Sequence, residues 1–514
     1  MPATDFDLDV FNVASIRAGL VRGDFSVAEL VQSHLDRIDR YDAPINSVIE
    51  VNPDALEIAE RLDAAQRRGD ANGALHGVPI LLKDNIETGD RMMTTAGSVA
   101  LEGHHAPADA NLVARLRKAG AVVLGKTNMA EWANFRSRYS TNGWSSRGGL
   151  TRNPYALDRS AGGSSTGSAA ATAAAFSLAA IGTETDGSVV SPSALNGVVG
   201  VKPTVGLVSR KGIVPISPVQ DTAGVMARCV ADAAAVLCAV AGTSPDDAAT
   251  SEADWRRTDY VAALEDATLS GARIGVARAM SLSHPAMEAI LEESIRALGD
   301  AGAEIVDVEV VPVAAVRDLE YECLVTEYRH ALGRYLAALP PHMPVRSIEA
   351  LVAFNETNSE RVMPHFGQDL LERALKAGSL QAESYRAMRA DCLRLAGEEG
   401  IDRLLSGQRL DAIAVISTSP AWLIDLLIGD GPRYTSAYLA AIPGYPNVTV
   451  PAGYVHGLPV GISFVGGAWR EARLLALAHA FERTTAIRRP PRLADAAAMR
   501  AGPGPQKSAS EVAA

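Results

Sequence analysis

The sequence predicts a large α/β domain with a helical excursion, and three observations carry that reading. Short apolar runs of strand length recur between breakers. Segments with apolar residues at helical spacing lie between them. No long linker and no repeat of fixed period divides the 514 residues. One domain over residues 1–490 is expected, mainly helical over 315–405. The Ala/Pro/Gly-rich tail, 491–514, is expected to be disordered.

The first helix is predicted from Ser26, which forms an S-x-x-E capping box with Glu29. Phe25 and Leu30 are placed as a hydrophobic staple, and Leu30, Val31, Leu35 and Ile38 form an apolar stripe at helical spacing. A helix over 54–68 ends before Gly69. Residues 78–82 read as a short buried strand with Lys83 at its end, where a lysine ordinarily surfaces. A helix over 112–119 stops at Gly120, and a strand follows over 121–124. Residues 169–180 hold eight alanines and are predicted as a tightly packed helix. Beyond Thr222 the pattern is a helix over 230–241, then strands near 273–276 and 304–311. After the helical stretch come strands near 412–416, 447–451 and 460–465 and a helix over 471–482.

Composition excludes several classes of function. Hydrophobic residues make up 47% and charged residues 21%, ordinary globular usage. The net charge of −12 disfavours a nucleic-acid partner, which calls for a basic surface. The cysteines, Cys229, Cys238, Cys323 and Cys392, form no C-x-x-C pair and adjoin no histidine cluster, so no metal site is expected. Few, unpaired cysteines fit reduced thiols and a cytoplasmic setting. The N-terminal residues lack the basic and apolar regions of a signal peptide. The uncharged stretch 160–183 is apolar only over 169–181, short of the roughly 20 residues of a membrane span.

Three motif matches fail on context. Gly120-Ala-Val-Val-Leu-Gly125-Lys126-Thr127 fits the phosphate-loop pattern, yet its middle residues form a strand. Gly163-Ser164-Ser165-Thr166-Gly167 fits the nucleophile elbow, with Ser165 as nucleophile, but no apolar strand precedes it. Asn447-Val-Thr449 fits a glycosylation sequon without a secretory signal.

Two small-residue loops carry more. Ser160-Ala-Gly-Gly-Ser164-Ser165-Thr-Gly-Ser168 opens the alanine helix, and Ile181-Gly-Thr-Glu-Thr-Asp-Gly-Ser188 follows it. Backbone N–H groups in such loops can donate to an oxyanion, and glycine permits close approach of a substrate. Each loop alone is also an ordinary turn.

Together the motifs resemble the amidase signature family. The resemblance rests on Gly163-Ser164-Ser165, Gly182-Thr-Glu-Thr-Asp-Gly-Ser188 and Gly197-Val-Val-Gly-Val-Lys-Pro-Thr204. It extends to Leu81-Leu-Lys83-Asp-Asn85, Val123-Leu-Gly-Lys-Thr-Asn128, Gln220-Asp-Thr-Ala-Gly224 and Gly457-Leu-Pro-Val-Gly461. It implies a large twisted mixed sheet covered by helices on both sides. It also implies amide hydrolysis by a Ser–Ser–Lys set without histidine, metal or organic cofactor. Carried over by motif, Ser188 is the nucleophile, Ser164 the bridging serine and Lys83 the base. Gly163 and Ser165 support them, and a cis peptide is implied at Gly163–Ser164. Backbone N–H groups of Thr185, Asp186, Gly187 and Ser188 form the implied oxyanion hole. The implied partner is a small-molecule or peptide amide, with the protein as monomer or homodimer.

Many members have Gly where this chain has Asp186, and Ile-Arg at Val189-Val190. The form seen here resembles a subgroup that includes bacterial peptide amidases, as do Glu131-Trp-Ala-Asn-Phe135, Asn142-Gly-Trp-Ser145, Arg147-Gly-Gly149, Thr151-Arg-Asn-Pro-Tyr155 and Phe354-Asn355. Trp132 and Trp144 read as packing residues before substrate platforms. C-terminal peptide amides are therefore the expected substrates, with aryl or alkyl amides, anilides or carbamates as the alternative. An amidotransferase role is disfavoured, because no tRNA- or partner-docking feature is visible. A non-catalytic binding protein is disfavoured by the intact Lys83, Ser164 and Ser188.

Overall fold

A computed structural model describes residues 6–70, 73–280, 284–431 and 434–493. The tail is expected from 491, but Leu493 packs in the core; residues 494–514 lie outside the described residues. Eleven strands form one mixed sheet. In chain order they are β1 (Val48–Val51), β2 (Pro79–Lys83), β3 (Val122–Thr127), β4 (Ala179–Glu184), β5 (Val199–Lys202), β6 (Thr222–Ala227), β7 (Arg273–Val276), β8 (Glu304–Asp307), β9 (Ala412–Ile416), β10 (Asn447–Val455) and β11 (Leu458–Val465). Their spatial order is β1-β3-β2-β4-β6-β5-β10-β11-β9-β7-β8. Strands β3, β2 and β4 are parallel, as are β9, β7 and β8, and the strands between them run antiparallel.

The strands between the two edges are largely buried, so the two sets of side chains that alternate along them both face cores. Along β9, Ala412, Ala414 and Ile416 join a core shared with the Pro285–Asp300 and Glu471–Thr485 helices. Ile413 and Val415 point the other way, into a core with Cys323 of the Val313–Ala338 helix and Cys392 of the Glu383–Leu393 helix. The excursion also has its own core, where Leu324, Tyr328, Leu351 and Leu370 meet Trp132 and Phe135. Trp132 and Trp144 are both buried; Trp144 lies under Arg136 and meets Phe366 edge-to-face. The packing reading of both holds.

Three expectations are corrected, and the strand reading of the phosphate-loop match is borne out. A helix precedes the Ser26 start: Val13–Arg22 is capped by Asn12 and Ser15, a box hidden because its third residue is Ser instead of Glu or Gln. The Val27–Ile45 helix does start at the Ser26–Glu29 box. The alanine helix covers only Thr166–Ala173. It stops because Ala175 turns left-handed at φ +55° and Phe176 N–H closes on the Ala171 carbonyl, so Ala179 and Ala180 begin β4. The strand expected over 304–311 ends at Asp307, opposite Val276, where its partner ends. The phosphate-loop match lies in β3, which removes any cradle there.

The shortness of the Thr166–Ala173 helix is compensated by its packing. A Cβ at Gly167 would sit 2.3 Å from the Ser47 carbonyl oxygen and 2.5 Å from that of Asn128. Both are backbone atoms, which cannot rotate away. Gly167→Ala gains roughly 1 kcal/mol of helix propensity. The overpacking costs about 1–3 kcal/mol and wins. The variant's thermal midpoint is expected below the parent's; an equal or higher midpoint would show that the contact relaxes.

Candidate active site

The site lies at the carboxyl ends of β2 and β4, where open α/β sheets place their ligands. These strands are parallel neighbours, with Leu82 opposite Ile181, so Lys83 emerges beside Thr183. Lys83 is fully buried, against the surfacing expected of a strand-end lysine. Its ammonium nitrogen donates to Ser164 Oγ at 2.8 Å, Thr183 Oγ1 at 2.9 Å and the Thr183 carbonyl at 3.3 Å. Asn85 Nδ2 also donates to Thr183 Oγ1, at 3.0 Å.

Burial pushes the Lys83 pKa down to about 7, and the Asp221 and Glu184 carboxylates oppose the fall. Lys126 and Lys202 are equally buried and lowered to about 8. Burial alone therefore does not select a base. Lys126 donates to the Ile86 carbonyl and Thr94, and Lys202 to the Pro203 carbonyl. Of the three, Lys83 is the one bonded to a serine that adjoins the cleft loop.

The peptide Gly163–Ser164 is cis. A Cβ at Gly163 would meet Asn142 Oδ1 at 2.2 Å, so a larger residue there would displace the Asn142 amide. Ser165 is committed elsewhere. Its hydroxyl donates to the Thr183 carbonyl at 3.0 Å and accepts from Thr183 N–H at 3.1 Å, while its own N–H donates to the Ser188 carbonyl. These bonds occupy the hydroxyl that the elbow motif would use and stitch the Ser164 loop to Ser188.

Ser188 follows β4 in the turn 185–188. Gly187 adopts φ +81° there, with Ala437 and Ser191 within 3.1 Å of any added Cβ. Glu184 Oε2 accepts from Val189 and Val190 N–H, holding the start of the Val190–Leu195 helix. Among the described residues, no hydrogen bond is donated by the N–H groups of Asp186, Gly187 or Ser188, and none joins the Ser188 and Ser164 hydroxyls. Gly163, Thr185, Asp186, Gly187 and Ser188 line a cleft of about 750 Å³; Lys83 and Ser164 lie buried behind it. A larger surface groove, about 1370 Å³ around Tyr155 and Arg489, touches none of them.

The cleft wall carries the buried carboxyls of Asp186 and Glu320 beside Arg138 and Arg317. Burial, then the Glu320 and Glu184 carboxylates, push the Asp186 carboxyl well above its ordinary range, and burial also raises Glu320. Asp186 Oδ1 is buried without a partner among the described residues. The same residues include no group of three or more His, Cys, Asp or Glu placed to hold a metal ion, and no helix long and apolar enough to cross a membrane.

A buried lysine on a serine, beside a glycine turn with free N–H groups, is an arrangement for activating a hydroxyl and holding an oxyanion. The sequence matches the Amidase family over residues 29–475. The chain belongs to the amidase signature family. It is an amidase, an enzyme acting on carboxylic amide C–N bonds. The native peptide amidase from Stenotrophomonas maltophilia is similar in structure, with 47% identity and a TM-score of 0.91 over 95% of this chain and 99% of that one. A probable amidase of Arabidopsis thaliana is 36% identical over 95% of this amidase and 93% of its own length. A glutamyl-tRNA(Gln) amidotransferase subunit of Symbiobacterium thermophilum is 34% identical over 93% and 97%.

The structure also brings to the site residues that sequence reasoning passed over. Thr183 and Asn85 stood inside quoted motifs without a role. Their signal, a hydroxyl and an amide at adjoining strand ends, becomes visible only once β2 and β4 are paired in register. Gln220 and Asp221 were quoted likewise, and their position depends on the pairing of β6 with β4.

Proposed function

We propose that this amidase hydrolyses C-terminal peptide amides or similar amides through an acyl-Ser188 intermediate, releasing ammonia or amine. The observation that carries the reading is the 2.8 Å bond from buried Lys83 to Ser164, directly behind the loop that presents Ser188 to the cleft. Neutral Lys83 takes the Ser164 proton while Ser164 takes that of Ser188, because a hydroxyl both donates and accepts. The Ser188 oxygen adds to the amide carbonyl, and the N–H groups of residues 185–188 receive the oxyanion. Collapse breaks the C–N bond, with the leaving nitrogen protonated through the same relay. Water then cleaves the ester, regenerating the Ser188 hydroxyl and releasing the acid.

Loop 129–155 and the helical region 315–405 shape the substrate pocket in this reading. Tyr139 and Asn142 come from the first, Glu320 and Tyr321 from the second. The cleft mouth carries Tyr139, 62% exposed, and Ile428, 76% exposed. Such an apolar rim suits a peptide chain leaving the cleft. The similarity to peptide amidase supports the same substrate class.

A panel of peptide C-terminal amides, amino acid amides, anilides and carbamates, read by ammonia or amine release, tests the substrate assignment. Peptide amides are expected to have the highest kcat/KM, with internal peptide bonds untouched. Preference for anilides or carbamates would overturn it.

A further inference from the structure

The bonds that hold the 185–188 loop from outside form a buried chain reaching into the helical region. Thr222 of β6 pairs with Glu184, the last residue of β4, so Gln220 and Asp221 face the next residue of the loop, Thr185. Thr185 is gripped twice. Its hydroxyl donates to Asp221 Oδ1 at 2.6 Å, and its carbonyl accepts from Gln220 Nε2 at 3.3 Å.

Both grips are themselves anchored. Asp221 Oδ2 accepts from Ile216 and Ser217 N–H, each at 2.8 Å. Gln220 Nε2 donates to Glu320 at 2.8 Å, and its Oε1 accepts from Arg389 Nη1 at 2.7 Å. Arg389 is paired with Glu327. Glu320 and Glu327 belong to the Val313–Ala338 helix and Arg389 to the Glu383–Leu393 helix. A side-chain amide is free to flip, but Arg389 can only donate, so the amide oxygen must face it and the Nε2 end must face Glu320 and Thr185. That orientation sends an N–H to the Thr185 carbonyl. Gln220, Glu320, Glu327 and Arg389 are all buried.

None of these side chains takes part in the proton relay or supplies an oxyanion donor. Apart from the Asp221 charge, which favours the ammonium form of Lys83, their effect is on the peptide plane of Thr185, from which the donor turn departs. Oxyanion donors act only when preorganised at hydrogen-bonding distance from the developing charge. We propose that Gln220 and Asp221 are positioning residues for the 185–188 loop, and that Arg389 and Glu320 of the helical region act on turnover by orienting the Gln220 amide. The inference rests on the reading of that loop as the oxyanion site. It gives the helical region a part in the rate as well as in substrate fit.

The test is a mutant cycle on the full chain, with a primary amide as substrate. Gln220→Met, Arg389→Met, their double variant and Asp221→Asn are compared with the parent for kcat, KM and thermal midpoint. Active-site titration normalises the rates. The single variants are expected to lose roughly 10- to 100-fold in kcat per active site, with KM within about threefold, as for loss of transition-state stabilisation alone. The double variant is expected to be no slower than the worse single one, because Arg389 acts through Gln220. Arg389→Lys keeps the charge at that end of the amide and is expected to recover part of the rate; it also serves if Arg389→Met does not fold. Rates within twofold of the parent, additive losses, or losses that vanish on normalisation would each overturn the inference. Ser188→Ala is run alongside. If that variant still hydrolyses the amide, the site reading has failed; if it is inactive while the Gln220 and Asp221 variants are fast, only the positioning inference has.

Discussion

Ser188→Ala is expected to lower kcat for a primary amide by roughly 10⁴- to 10⁶-fold, the scale seen when the nucleophile of a serine hydrolase is removed. Ser188 is 9% exposed and opens on the cleft, whereas Ser164 and Ser165 are fully buried. The substitution removes one hydroxyl and leaves the Ser188 carbonyl to accept from Ser165 N–H as before. The thermal midpoint is therefore expected to stay close to the parent's, so the loss reads as chemistry. Acyl-enzyme detected by intact-mass measurement during turnover should disappear. A fluorophosphonate should label the parent at Ser188 and leave the variant unlabelled. Hydrolysis near the parent rate, or an adduct on Ser165, would overturn the assignment. The second outcome would require Ser165 to break both bonds to the Thr183 backbone.

The cleft loop that carries Ser188 was legible in the sequence through an ordered set of motifs, because its tight turn is built from small residues. The strands around it were legible only when strongly apolar. Residues 79–82, Pro-Ile-Leu-Leu, and 412–416, Ala-Ile-Ala-Val-Ile, stand out as short apolar runs. Strand β6 reads Thr-Ala-Gly-Val-Met-Ala, and β5 reads Val-Gly-Val-Lys; neither signals a strand by itself, and pairing with neighbours makes them so. The alanine helix was overextended for a related reason. Alanine favours helix in isolation, and the stop came from a single left-handed residue, Ala175, with no glycine to mark it. Lys83 shows the same division. Its place at a strand end was readable, but its burial depends on β3 and β4 closing on both sides. The grips of Gln220 and Asp221 on Thr185 depend on register and have no local signature.

Lys83→Met is expected to be almost as damaging as loss of the nucleophile, and the pH dependence gives the reason. A base must be neutral to accept a proton. Burial lowers the Lys83 pKa from the ordinary 10.5 to about 7, so the group is cationic below that point and neutral above it. The parent's kcat/KM should therefore rise about tenfold per pH unit at acid pH and level off above about 7. Asp221→Asn removes a charge that favours the ammonium form, so its midpoint should move down. Stability follows the opposite group logic. A lysine whose folded pKa is depressed binds fewer protons when folded, so it costs stability below about 7, and that cost fades as pH climbs toward 10.5. Methionine carries no such cost. Lys83→Met is expected to melt above the parent at about pH 6, with the gap closing by about pH 10, even though Ser164 and Thr183 lose their donor. A variant less stable than the parent at every pH would mean that these bonds outweigh the buried charge. A kcat/KM independent of pH between about 5 and 8 would remove Lys83 from the role of base.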